Sequence, residues 1–200
     1  MINMTEASKI MTCAIAVAML ASGCLTSAPP QPKSWVVSAS RKQVAEIDVG
    51  KAVKLGAITV AAPYDKPALA VMRADGSVAF DAYNAFASSP AALLRAPLAT
   101  LLGCSGCFGL VIPSASSARV GTTIEAAVND ISLDCREPGK RIARISLTLS
   151  VVENRSLVEI LHGEGAADAA SGDYSAAFSE AFGKAVSSAV ASSSMFPKEK

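Results

Sequence analysis

Five cysteines and a single histidine are the residues of this chain with the most chemistry to offer, and their spacing limits what that chemistry is. Cys104 and Cys107 form a C-x-x-C pair in "CSGC", with Cys135 some thirty residues on and His162 further still. A redox C-x-x-C opens a helix, whose positive N-terminal end stabilises the thiolate. This pair follows a predicted helix, where the dipole has the wrong sign, so a thiol-redox enzyme is disfavoured. A disulfide among Cys104, Cys107 and Cys135 is the expectation in an oxidising compartment, with the pairing left open. Those three cysteines and His162 also make a nominal zinc set, but the second C-x-x-C is missing and the compartment favours oxidation. For hydrolysis, His162 is the sole imidazole and no G-x-S-x-G elbow surrounds a serine. Asp130, Asp134 and Glu137 fall at a strand end and turn, where solvated acids are ordinary. No catalytic residue, metal or cofactor is expected, and the chain reads as a non-enzyme.

The remaining two cysteines lie near the start. Lys9 precedes an apolar core from Ile10 to Ala21, which ends in "MLASGC" at Cys24 and gives way to "LTSAPPQPKS". A positive flank, a short apolar run and a small-residue exit are the order of an export signal. The run is shorter than the roughly 20 apolar residues that span a bilayer. Leu20 to Cys24 resembles the lipobox of bacterial lipoproteins, with Ala21 where Leu is commonest. The resemblance implies that Cys24 carries a diacylglycerol and an N-acyl chain once residues 1–23 are removed. Several acyl chains on one residue hold a protein far more firmly than one. The alternative is an ordinary signal cut near Ala21 or Cys24 that leaves a free thiol. The Pro-, Ser- and Ala-rich tail after Cys24 favours a tether over residues 24–34.

Residues 35–195 are long enough for one domain with a real core, followed by a short tail at 196–200. The formal net charge of +1 gives no electrostatic footprint for nucleic acid. Alternation in "SWVVSAS" predicts a first strand with Trp35, Val37 and Ala39 in phase, and "LGAITVAAP" a second with Ile58 and Val60 inward. "ALAVMR" and "SVAFDA" flank Asp75-Gly76, a hairpin signal. Ser89 and Pro90 open a helix bearing Leu94, Leu98, Leu101 and Leu102 on one face, with a kink or a fresh start expected at Pro97 and a C-cap at Gly103. "FGLVIP" reads as a short buried strand. In "TTIEAAVNDISLD" the apolar phase switches, which places a bulge near Asn129 and Asp130. "EPGK" turns the chain into "RIARISLTLSVV", whose clean alternation predicts a sheet with one wet face. A strand over about Ser156–Gly165 follows. A last helix, N-capped by Asp173, sets Tyr174, Phe178, Ala181, Phe182, Ala185 and Ala189 along its core face. The fold class is α+β: a mostly antiparallel or mixed sheet with two main helices packed on it.

This order of elements, with the lipobox ahead of it, resembles the ABC-type transport auxiliary lipoprotein family over about Trp35 to Ser194. The family's Y-x-x-P-x-L-x-x-R run is matched by Tyr64, Pro67, Leu69 and Arg73. Its Y-x-x-W-x-x-x-P run is matched by Tyr83, Phe86 and Pro90, with Phe86 in place of the usual Trp. Packing of the hairpin against the first helix is the role expected of these residues. The resemblance implies a lipid-anchored protein of the outer membrane, facing the periplasm. It would serve a lipid transport system built from a periplasmic mammalian-cell-entry class protein with its permease and ATPase, and could form a homo-oligomer. Leu25 after Cys24, rather than Asp, fits the outer membrane. An outer-membrane lipoprotein that activates or pilots a cell-wall synthase or secretion channel is the alternative.

Overall fold

The computed structural model describes residues 31–39 and 52–194. The export signal, Cys24, most of the tether and the C-terminal tail lie outside the described residues. Chain contacts cluster into two units, Met1–Gln31 and Pro32–Lys200, and the fold below is that of the second.

The organising strand is β6, Thr122–Asp134, thirteen residues long. On one edge it pairs antiparallel along its whole length with β7, Ile142–Glu153, which pairs antiparallel in turn with β8, Ser156–Asp168. On the other edge two strands share it. The first half takes β2, Ala52–Val60, in parallel, as far as Val60 opposite Val128. The second half takes β3, Ala68–Met72, also in parallel, from Ala70 opposite Ser132. Between them residues 61–67 leave the edge: Ala61 N donates to Val128 O at 2.9 Å, Tyr64 N donates back to Ala61 O at 2.8 Å, and the Ala62–Pro63 bond is cis. Outside β3 lie β4, Val78–Phe86, antiparallel, and then β1, Lys33–Trp35, parallel to β4; outside β2 lies β5, Leu110–Ile112, parallel to it. The eight strands form one mixed sheet, in the α+β class read from the sequence.

Helices α1, Pro90–Cys104, and α2, Tyr174–Ala191, both pack on one face. That inner face receives the alternate side chains of β7, Ala143 through Val151, all buried, while Arg144, Ser146, Thr148 and Ser150 take the outer face. Leu94, Leu98 and Leu102 of α1 are buried, each contributing about 1.5–3 kcal/mol. Together they outweigh the cost of about 3 kcal/mol for a proline in a helix interior. The helix therefore runs on through Pro97 rather than ending there, and it ends at Cys104 rather than at Gly103. Ser89 begins it without a side-chain cap, through its carbonyl, which accepts from Ala92 N and Leu93 N. Asp173 does cap α2 with its side chain, 3.0 Å from Ala176 N. Tyr174, Phe178, Ala181, Phe182, Ala185 and Ala189 are buried as the helical spacing requires.

Some local expectations are displaced. The first strand is three residues long, though Val37 is buried beyond it. Strand β2 starts earlier than its apolar core suggested and shifts register between Leu55 and Ile58, leaving Val60 half-buried. Strand β5 is half-exposed rather than buried because it forms a sheet edge.

Candidate functional site

The bulge between Val128 and Asp130 builds the most polar part of the outer face. An extra residue in one strand switches which side chains point inward. Val128 and Ile131 are both buried, and Asp130, Ser132 and Asp134 are turned to the outer face together. The same point is where β6 exchanges β2 for β3, so residues 61–67 and the bulge face one another. Tyr64 sits there, half-buried, its hydroxyl 4.0 Å from Met72 Sδ.

Asp134 is the anchor of the cluster. Arg136 donates to it from Nε at 3.0 Å and from a terminal nitrogen at 2.7 Å, and Arg144 from Nε at 2.7 Å. Its carboxylate is 8% exposed while both arginines stay about half-exposed, so the acid is desolvated and the cations snorkel. Hydrogen bonding by Arg136, assisted by Arg144, holds its carboxyl well below the usual carboxylate range. Asp130 behaves in the opposite way. Burial pushes its pKa up, against the pull of Ser132 and then of Arg144, and its Oδ1 and Ser132 Oγ are both buried. Tyr64 is pushed up by burial and by the negative charge of Asp130. A cleft of about 260 Å³ opens beside them, lined by Asp130, Arg144, Ser146, Glu164 and Ala166 among others. The chemistry on offer is hydrogen bonding and charge pairing. The sequence reading placed these acids in solvent. The signal that would have found them is the phase switch itself, since buried Ile131 and Leu133 force 130, 132 and 134 onto the opposite face.

Cys135 stands apart from Cys104 and Cys107. Cys104 ends α1 and Cys107 precedes β5, whereas Cys135 follows the far end of β6, its N–H bonded to Met72 O. Thirteen strand residues span about 40 Å, far beyond the reach of a disulfide. No disulfide is formed among the three in the structure, and Cys104 and Cys135 are free thiols. Cys104 stands at the helix C-terminus, as the sequence indicated. His162 lies mid-strand on the outer face, Nδ1 3.1 Å from Thr148 Oγ1, which also accepts from Asn129. The nominal zinc set is therefore dispersed over the molecule.

The family-motif residues divide by burial. Leu69 is buried in the core, and Pro90 is buried at the first turn of α1. Pro67 O accepts from Phe86 N at 2.7 Å. Phe86 is buried edge-on against Phe178, ring centroids 5.2 Å apart. The ring it meets belongs to the last helix, whereas the sequence reading set it against the first. Arg73 and Tyr83 are exposed. Arg73 serves the hairpin through its backbone, paired with Ser77 and Gly76.

The architecture thus defined is a mixed eight-stranded sheet with two helices on one face and an open, partly polar second face. No family model and no curated protein matches the sequence. Among solved structures the chain is similar to XCC0632 of Xanthomonas campestris, described under the family model DUF330, at 15% identity and a TM-score of 0.57, covering 80% of this chain and 91% of that one. It is also similar to an uncharacterized protein at 14% identity and a TM-score of 0.45, over 64% of this chain and 79% of that one. The first likeness shows a shared fold. No helix among the described residues is long and apolar enough to cross a membrane.

Proposed function

We propose that this chain is a non-enzymatic, lipid-anchored auxiliary component of an ABC-type envelope lipid transport system of the mammalian-cell-entry class. Cys24 holds it to the outer membrane, facing the periplasm, and the folded domain docks the periplasmic shuttle protein of that system. The observation that carries the reading is the pair of motif runs behind a lipobox: Tyr64, Pro67, Leu69 and Arg73, then Tyr83, Phe86 and Pro90. Support comes from where these residues lie. Both runs converge on the β3–β4 hairpin, joined by the bond from Phe86 N to Pro67 O, so they form one structural unit.

The test is purification of the membrane-bound protein in mild detergent beside a Cys24→Ala control, with co-purifying chains identified by mass spectrometry. Recovery of a mammalian-cell-entry protein with its permease and ATPase, lost in the control, is the expected result. Recovery of a cell-wall synthase or a secretion channel instead would overturn the reading in favour of a piloting lipoprotein on the same scaffold.

A further inference from the structure

Strand β8 is thirteen residues long and pairs with β7 alone, so among the described residues its other edge carries no strand. The ladder says which groups stand on that edge. Ala169 N donates to Arg141 O at 2.8 Å, just past the pairing of Asp168 with Ile142. The odd-numbered residues of β8 therefore turn their backbone groups toward β7, and the even-numbered ones turn theirs away. Lys184 Nζ agrees with that phase, reaching Ala166 O at 3.0 Å from outside the ladder. At the other end the register shifts between Val151 and Val152, which leaves Val158 as an extra residue and closes the regular phase. Between these two points Ile160, His162 and Glu164 present their N–H and C=O groups outward, with no partner among the described residues. Such a row in the middle of a long strand is a template for another extended chain.

The open window fits a second copy of itself. Val158 and Ala166, which bound it, stand at equal distances on either side of His162. An antiparallel copy laid with His162 opposite His162 sets Ile160 opposite the partner's Glu164 and Glu164 opposite the partner's Ile160, and every outward group of one copy meets one of the other. A slip of two residues either way sets Glu164 against the bulge, or Ile160 against the carbonyl that Lys184 already holds. In the centred register no carboxylate faces a carboxylate, and each Glu164 has the partner's imidazole as its diagonal neighbour. Val158 and Ile160, 48% and 50% exposed, are then laid beside the partner's Ala166 and the stem of its Glu164. On the helix side, the flank of α2 that continues from Lys184 carries Ser188, small and exposed, so the edge is open to an approaching strand.

We propose that two copies of this chain join through β8, edge to edge and antiparallel, about a two-fold axis at His162, so that one sheet runs through both. The same residues serve both sides of such a contact, and it closes on itself. The axis is perpendicular to the sheet, which keeps the helices of both copies on one side and both polar outer faces, with their clefts beside Asp130, open on the other. The inference stands independently of the functional reading.

Disulfide trapping in intact cells that express the full chain tests the register, with the parent chain as the background for its own thiols. His162→Cys brings two sulfurs together across the axis, at the Cα separation of about 5.5 Å of directly opposed residues, which a disulfide spans. A trapped dimer on a non-reducing gel is the expected result. Glu164→Cys lies on the same edge but about 13 Å along the strand from its own counterpart, and is expected to give no more than the parent. Sedimentation of the purified chain reads the association itself. The parent is expected to be a dimer, and His162→Asp, which sets two carboxylates face to face beside Glu164, to dissociate at least ten-fold more readily. Position 162 is exposed, and an unchanged circular dichroism spectrum checks that the fold is kept. A monomeric parent with no trapping at 162, equal trapping at 162 and 164, or a dimer that His162→Asp leaves intact overturns the proposal. A monomer whose amides at 160, 162 and 164 resist hydrogen exchange also overturns it, and assigns the edge to another segment of the same chain.

Discussion

Asp130 and Asp134 share one face of one strand and are driven in opposite directions, so their substitutions have opposite signs. Burial raises Asp130 above its unfolded value, which means that below about pH 4 both states hold the proton and no penalty exists. As pH rises the unfolded state ionises first, and the folded state loses stability until Asp130 itself ionises. Asp130→Asn is expected to raise the thermal midpoint at about pH 7 and to leave it unchanged at about pH 3. Equal midpoints at both values would show that the carboxyl is well solvated. Asp134 is lowered, so its contribution is present above its unfolded value and disappears as pH falls through the folded one. Asp134→Asn is expected to cost about 1–3 kcal/mol in denaturant melts at neutral pH, since Arg136 and Arg144 lose the charge that collects them. The deficit should shrink in acid.

At the scale of elements, the contact between β8 and α2 is set by two glycines. A Cβ at Gly163 would lie 2.0 Å from Ala185 O, and one at Gly165 would lie 1.9 Å from Ala181 O. The neighbours in each case are helix backbone, which cannot swing aside as a side chain can. Gly163→Ala and Gly165→Ala are therefore expected to destabilise by about 3 kcal/mol or more, read from the denaturation midpoint. Gly183, on α2 itself, has nothing within 4 Å of its Cβ position. There Ala removes backbone freedom from the unfolded chain and should stabilise by about 0.5–1 kcal/mol. The three alanine substitutions have the same chemistry, and only the packing separates their signs.

Across the whole molecule, α2 is what ties the two halves of the sheet together. Phe178 meets Phe86 of β4, Tyr174 meets Trp35 of the entry strand, and Ser175 Oγ donates to Val36 O at 2.7 Å. Meanwhile Ala181 and Ala185 lie on β8, four pairings away. Phe178→Ala is expected to cost about 3–5 kcal/mol and to unfold the domain in one transition. Loss of the Trp35 signal ahead of the bulk transition would show instead that the entry strand is a separate unit.

The local order of this chain was legible from its residues. Alternation gave β7 and its wet face, the phase switch at Asn129 and Asp130 gave the bulge, Asp75-Gly76 gave the hairpin, and the apolar spacing gave both helices. These features depend on neighbours in the chain, and periodicity records them. The sequence could not say that β2 and β3 share one edge of β6, that Phe86 meets the last helix, or that Asp134 is buried beneath two half-exposed arginines. Nor could it say that β6 holds Cys135 far from Cys104 and Cys107. Each of these depends on partners distant along the chain, brought together only because a long strand needs its backbone hydrogen bonds satisfied on both edges. The residues by themselves determined the elements. The tertiary structure decided which face stays open and which strand β1 meets, because pairing and helix burial are settled together when the core closes.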